Sequence, residues 1–222
     1  MSSKRSARQF VSLGETAQST TSLFVQNHTS PEHLLAQVDN LFQRGDLHQA
    51  HHLIECIVDN NNPLVGTADL FVLHAKTFIE LYGFNVHAQC SIQQALLLEP
   101  GHTEAMKLQR LGDLHEEFRD GMYAQAQDSL REFIKSEPEN IYARYLLAYN
   151  LFWKNGTQAE ATELLEACVR LRPSFLRAWL CLAMAYKRGQ QIEKAEEAFQ
   201  ECLSIDRDPT NLEFDKNHLQ SI

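Results

Sequence analysis

The chain has 222 residues, of which 44% are hydrophobic and 22% charged, and its net charge is -9 at pH 7. These proportions are ordinary for a folded soluble protein, and the negative charge argues against nucleic acid, whose phosphates need a basic surface. No run approaches the roughly 20 apolar residues that span a bilayer, and the residues after Met1 are polar, unlike a secretory signal. We therefore expect a cytoplasmic protein that binds neither membranes nor nucleic acid, with its five cysteines reduced.

The N-terminal segment differs in composition from the rest of the chain. Residues 1–29 are rich in Ser, Thr and Gln and show no periodic apolar pattern, so we expect a flexible tail. Ser30-Pro31-Glu32 then combines a capping residue, a proline for the first turn and an acid. This order predicts that the first helix begins at residue 31.

From that point a pattern repeats every 34 to 38 residues, a spacing typical of stacked helix pairs. Each unit has a glycine, then an alanine five or six residues later, then an apolar residue four positions on. The alanines are Ala50, Ala88, Ala126, Ala161 and Ala195. The pattern predicts an all-α solenoid in which each unit has a helix A, a glycine turn and a helix B. The expected units are 31–64, 69–102, 105–138, 141–175 and 176–209, and residues 210–222 are predicted to cap the last one.

The last unit contains a family motif. Its residues follow the order W-x2-L-[GA]-x2-Y…A-x3-F…P, in Trp179, Leu182, Ala183, Tyr186, Ala195, Phe199 and Pro209. Over about residues 31–209 the chain resembles the tetratricopeptide repeat family. Cys168 and Cys202 depart from it, since they replace the alanine usual at that position. The resemblance implies a right-handed superhelix whose concave face, lined by the A helices, binds segments of partner proteins.

The fourth helix A carries the most conspicuous candidates for a partner-binding groove. If Ala148 is the slot where two helices pack closely, then Tyr145, Tyr149 and Phe152 face the groove. A register shifted by one residue instead places those aromatics in the core between helices. The same slot rule in the other units, with the remaining aromatics of this helix, gives the full candidate groove: Leu35, Asp39, Val72, Lys76, Asp113, Glu116, Tyr142, Tyr145, Tyr149, Phe152, Trp153, Leu180, Met184 and Lys187.

Charges along this groove predict the chemistry of the partner. The ends are apolar and the middle is acidic, with Asp113, Glu116 and Glu117. A partner segment with apolar anchors and a basic residue would be electrostatically complementary, although the same acids also suit a solvated helix face. Family members that grip the terminal carboxylate of heat-shock chaperones use basic and asparagine side chains at successive slots. Here Asp39 and Asp113 occupy such slots, which argues against that specialisation.

No motif points to catalysis, to a cofactor or to a metal. His48, His51 and His52 form a cluster on the first helix B, with Glu55 and Cys56 one turn later, but a third ligand at a diagnostic spacing is lacking. Phosphate-binding loops, nucleophile elbows and zinc-protease signatures are absent from the sequence. We expect no enzyme activity, no cofactor and no bound metal.

Three functions remain after these exclusions. The first is an adaptor that docks a segment of another protein in the concave groove. The second is a dedicated chaperone that shields an apolar segment of a client, as the small tetratricopeptide chaperones of bacterial secretion systems do. The third is a subunit of a larger repeat assembly, which would self-associate through its end.

Overall fold

The computed structural model describes residues 30–59, 66–154 and 157–206. These residues form helices and connecting turns without a strand. The helices are α1 (Pro31–Arg44), α2 (Leu47–Asp59), α3 (Ala68–Tyr82), α4 (Val86–Leu98), α5 (Thr103–Arg119), α6 (Tyr123–Ser136), α7 (Ile141–Trp153), α8 (Gln158–Leu171), α9 (Leu176–Arg188) and α10 (Ile192–Ile205). The predicted tail, residues 1–29, and the predicted capping segment, residues 210–222, lie outside the described residues.

Several helices begin where the sequence supplies a side-chain cap. The Ser30 hydroxyl accepts a hydrogen bond from the His33 backbone N–H, and Pro31 follows as the first helical residue. Asn85 and Asn140 cap α4 and α7 in the same way. Such caps satisfy N–H groups that have no partner inside the helix.

The B helices α2, α4, α6, α8 and α10 have the register that the repeated alanines predict. Ala50, Ala88, Ala126 and Ala161 are completely buried, and Ala195 nearly so. Small side chains at these positions let each B helix approach the A helix of its own pair. Consecutive helices pack on one another along the chain, as expected of an all-α helical-repeat solenoid.

The solenoid also closes on itself. Helix α9 contacts α3 as well as its sequence neighbours. Leu176 and Leu180 of α9 share one apolar cluster with Phe42, Leu47 and Leu81 from the first two repeats. The fifth repeat therefore lies against repeats one and two, where an open concave groove was expected.

Helix α7 is buried on nearly all sides. Leu147 and Leu151 are buried, as the slot rule predicts, but Tyr145 and Phe152 are buried as well. Two faces of the same helix pack at once, because α7 contacts α6 and α8 in sequence order and also α5 and α9. The burial of Leu147 and Leu151 agrees with the register in which Ala148 is the packing slot. The burial of Tyr145 and Phe152 agrees with the register shifted by one residue.

Candidate functional site

The buried members of the predicted groove form the interior of the closed solenoid. Tyr142 donates a hydrogen bond to Glu80 Oε1 at 2.9 Å, and the Tyr145 ring lies 4.9 Å from that of Phe175 between centroids. The expectation that these side chains line an accessible groove is wrong, because the helices packed around them bury them. The members with less than a tenth of their surface exposed are Val72, Tyr142, Tyr145, Phe152, Leu180 and Met184.

Two aromatic residues of α7 remain accessible. Tyr149 is half-buried and Trp153 is 37% exposed, with their ring centroids 6.1 Å apart. Tyr149 also contacts the rings of His115 and Phe118 on α5, at 5.8 and 6.0 Å. Tyr149 and Trp153, with these two α5 residues behind them, form what we call the α5–α7 aromatic cluster.

Helix α5, which supplies His115 and Phe118 to this cluster, also carries acidic side chains. Asp113 is exposed and accepts a hydrogen bond from Gln109 at 2.8 Å. Glu116 accepts hydrogen bonds from Gln89 at 2.9 Å and from Arg119 at 3.0 Å. Burial alone would raise the pKa of the Glu116 carboxyl, but these hydrogen bonds outweigh it and lower the pKa. Glu116 is therefore a carboxylate at neutral pH, partly neutralised by Arg119.

The other predicted groove residues are spread over the first, second and last repeats. Leu35 is half-buried against the core of the first repeat pair, and Asp39 is exposed and accepts a hydrogen bond from Gln43. Lys76 forms an ion pair with Glu104, 3.0 Å from Nζ to Oε1. Lys187 is half-buried near the end of α9. The polar contacts of Asp39 and Lys76 are with Gln43 and Glu104, which are not members of the α5–α7 aromatic cluster.

Sequence reasoning missed a buried polar cluster that consists of Glu80, Tyr142 and Arg172. The Glu80 side chain is 0% exposed, yet Arg172 Nε lies 3.0 Å from its Oε2 and 3.2 Å from its Oε1. Burial raises the pKa of the Glu80 carboxyl, and the attraction of Arg172 acts in the opposite direction. The single sequence signal was an acidic residue in an otherwise apolar stretch of α3.

The histidines of α2 lie beside others on α3 and α4. The His51 and His74 rings stack 5.4 Å apart between centroids, and Phe78 stacks on His87 at 5.3 Å. Burial, followed by the nearby His51 and His87, lowers the pKa of His74 to about 4. Among the described residues, no three His, Cys, Asp or Glu side chains are grouped so that they could hold a metal ion. The His51, His74 and His87 rings pack with Phe78 as one aromatic group.

Comparisons with known proteins found one matching family model and several similar solved structures. The tetratricopeptide repeat model matches residues 176–209, the unit that carries the motif. A solved structure of YrrB, titled as a tetratricopeptide repeat protein with an unusual peptide-binding site, is 14% identical, with 86% of this chain and 94% of that chain covered and a TM-score of 0.44. MamA from Desulfovibrio magneticus RS-1 is 16% identical, with 80% and 95% covered and a TM-score of 0.41. No curated protein was found to match the sequence.

In the part of the chain that the structure describes, no helix has the length and apolarity to cross a membrane.

Proposed function

We propose that the chain, whose last repeat matches the tetratricopeptide repeat model over residues 176–209, is an adaptor that binds a segment of a partner protein on the accessible side of its A helices. The observation that carries this proposal is the exposure of Trp153 next to Tyr149 on α7. Large aromatic side chains with few rotatable bonds are the residues most enriched at binding hot spots. The proposed anchor point is therefore the α5–α7 aromatic cluster.

The charges around the cluster support a partner of particular chemistry. Asp113 is exposed on α5, and the same helix carries Glu116 and Glu117. Burial of apolar side chains stabilises a complex by about 25 cal/mol per Å² before ordering costs are subtracted. Rim charges add mainly specificity and association rate. A partner segment with one or two apolar anchors and a nearby basic residue would satisfy both features.

A quantitative affinity purification with reconstitution tests the proposal. The wild type, Trp153→Ala and Tyr149→Ala/Trp153→Ala are compared in lysate from the native cell, and the retained protein is then purified and titrated. Leu97→Ala serves as the matched control, because Leu97 is 74% exposed on α4, a B helix. Thermal melts confirm that each variant folds.

The expected result is a loss of affinity of roughly 30-fold or more in the aromatic variants, as for hot-spot residues, and no change in Leu97→Ala. Equal affinity in all folded variants would contradict the proposed site. A stable stoichiometric complex would support an adaptor. A client that merely stays soluble longer in the presence of this protein would support the chaperone alternative instead.

A further inference from the structure

We propose that the partner segment bound at the α5–α7 aromatic cluster carries an acidic side chain beside its apolar anchor, and that Lys154 and Arg188 bind its carboxylate. This inference rests on the proposed function, because it concerns the same site at Trp153. It adds a second charged group to the partner, of opposite sign to the basic residue that Asp113 favours.

Both cations lie beside Trp153, at the ends of two A helices. Lys154 directly follows Trp153 and caps the C-terminus of α7. Arg188 is the last residue of α9, and its guanidinium carbon lies 3.9 Å from the centroid of the Phe152 ring. That ring meets the Trp153 ring edge-to-face, with 5.2 Å between centroids. Trp153, Lys154 and Arg188 are all exposed, so a partner can reach each of these side chains.

Neither cation has a carboxylate partner among the residues that the structure describes. The Lys154 ammonium lies over the Tyr123 ring, 3.9 Å from its centroid. Arg188 donates through Nη1 to the backbone carbonyl of Phe152, and its other N–H groups have no acceptor within the described chain. Aromatic rings attract these cations without neutralising them. A partner carboxylate would neutralise them and accept the remaining hydrogen bonds.

The cations of α5 differ from these two, because they are already paired. Arg119 donates to Glu116 at 3.0 Å, and Arg110 Nη1 lies 3.7 Å from Glu117 Oε1. The whole chain has a net charge of -9, yet the positive charge next to Trp153 has no acid against it in the described residues. Electrostatic complementarity therefore favours an acidic group of the partner at this point.

A displayed peptide library tests the proposal on the full-length protein. Random dodecapeptides on phage are selected against the wild type, and the selected peptides are synthesised with a fluorescent label. Fluorescence anisotropy at low ionic strength then compares their affinities for the wild type, Lys154→Gln/Arg188→Gln and Trp153→Ala. The matched control is Arg44→Gln/Lys135→Gln, which removes the same charge from exposed side chains of α1 and α6. Cations at helix C-termini also stabilise the helix, so a thermal melt of each variant separates folding from binding.

We expect the selected peptides to carry Asp or Glu close to an aromatic or leucine side chain. Lys154→Gln/Arg188→Gln should bind them at least about threefold more weakly than the wild type, and added salt should reduce the difference. The control should bind nearly as well as the wild type. Lys154→Glu/Arg188→Glu should instead prefer peptides in which lysine replaces the acid. A purely structural role of the two cations would not produce that reversal.

The outcomes separate this inference from the proposed function. Binding that is lost in Trp153→Ala but unchanged in Lys154→Gln/Arg188→Gln would overturn the acidic-partner inference and leave the proposed site standing. Binding that does not depend on Trp153, or a selection that yields no binder, would overturn both.

Lys154→Gln alone covers the case in which the Arg188 variants do not fold, since it leaves the contact between Arg188 and Phe152 intact. It should still weaken binding of the acidic peptides relative to their lysine-substituted forms. Equal affinity of the wild type for the acidic and the lysine-substituted peptides would contradict the proposal without any variant of Arg188.

Discussion

Arg172 and Glu80 lie 92 positions apart in the sequence and form a buried ion pair, with Arg172 Nε 3.0 Å from Glu80 Oε2. In a simple repeat array each unit contacts only its neighbours. This pair instead joins the connection between α8 and α9 to α3, together with the Tyr142 hydroxyl from α7. The pair shows at the level of single atoms that the solenoid closes.

Removal of one partner of this pair should be costly. Arg172→Ala leaves the Glu80 carboxylate buried without compensation, and we expect the free energy of unfolding to fall by about 3 to 5 kcal/mol. Replacement of all three polar groups, in Tyr142→Phe/Glu80→Leu/Arg172→Met, should cost clearly less, since no charge remains buried. Urea denaturation measures both. An equal loss in the two variants would show that the charge is not desolvated and that closure differs from the structure.

Alanine substitutions at two glycines distinguish the cost of a strained backbone from the cost of an overlap with Ser174. Gly45 has φ of +83° and faces Ser174. Gly121 has φ of +91°, and a Cβ added there would have only the Tyr123 hydroxyl nearby, at 3.9 Å. Gly121→Ala should therefore lose about 1 to 2 kcal/mol from the left-handed backbone alone. Gly45→Ala should lose at least about 1 kcal/mol more, because its methyl group would overlap Ser174.

The control for this pair is Gly101→Ala, where an added Cβ meets nothing within 4 Å and φ is not positive. It should change the free energy of unfolding by less than about 1 kcal/mol. Thermal melts of the three variants give the ranking. Equal losses at Gly45 and Gly121 would mean that the first repeat does not touch the Ser174 loop in solution.

The stability of the fold should fall in mild acid because of His74. Its pKa is about 4 in the folded state, lowered first by burial and then by His51 and His87, against an ordinary value of 6.5. Between these two values the unfolded chain binds a proton that the folded chain does not, so the free energy of unfolding decreases as the pH falls. From pH 7 to pH 5 this linkage amounts to about 1 to 2 kcal/mol.

His74→Asn provides the comparison, because asparagine has no charge to gain in this range. Urea denaturation at pH 7 and pH 5 should show a smaller decrease for the variant than for the wild type. Identical pH dependence would indicate that His74 is not shielded from water. His51, whose pKa is also lowered by burial, accounts for part of the decrease that remains in the variant.

Features with local causes could be predicted from the sequence. The five alanines fix the register of the B helices because a small residue is needed at every point where paired helices approach. The cap at Ser30, which the sequence predicts, likewise acts within one turn. Ala148, predicted as the slot where two helices pack closely, is likewise completely buried. In each case the pattern and its structural cause lie within a few residues of one another.

The closure could not be predicted in that way. Whether repeat five meets repeats one and two depends on small rotations that accumulate over several units, and no single repeat encodes them. Leu180 and Met184 have the spacing of groove-lining residues and are equally suitable as core. The role of Glu80 depends on Arg172, and nothing in the sequence near either residue indicates the other. Among the aromatic residues of α7 that were predicted to line the groove, Trp153 and Tyr149 keep the accessibility that a groove position implies.

The most direct test of the closed solenoid is a set of nuclear Overhauser effects between methyl groups in protein labelled at leucine methyls. The structure places Leu47 and Leu81 in one apolar cluster with Leu176 and Leu180, so cross-peaks are expected between the two pairs, as they are between Leu176 and Leu180. Cross-peaks within the repeats but none between Leu47 or Leu81 and α9 would contradict the closure.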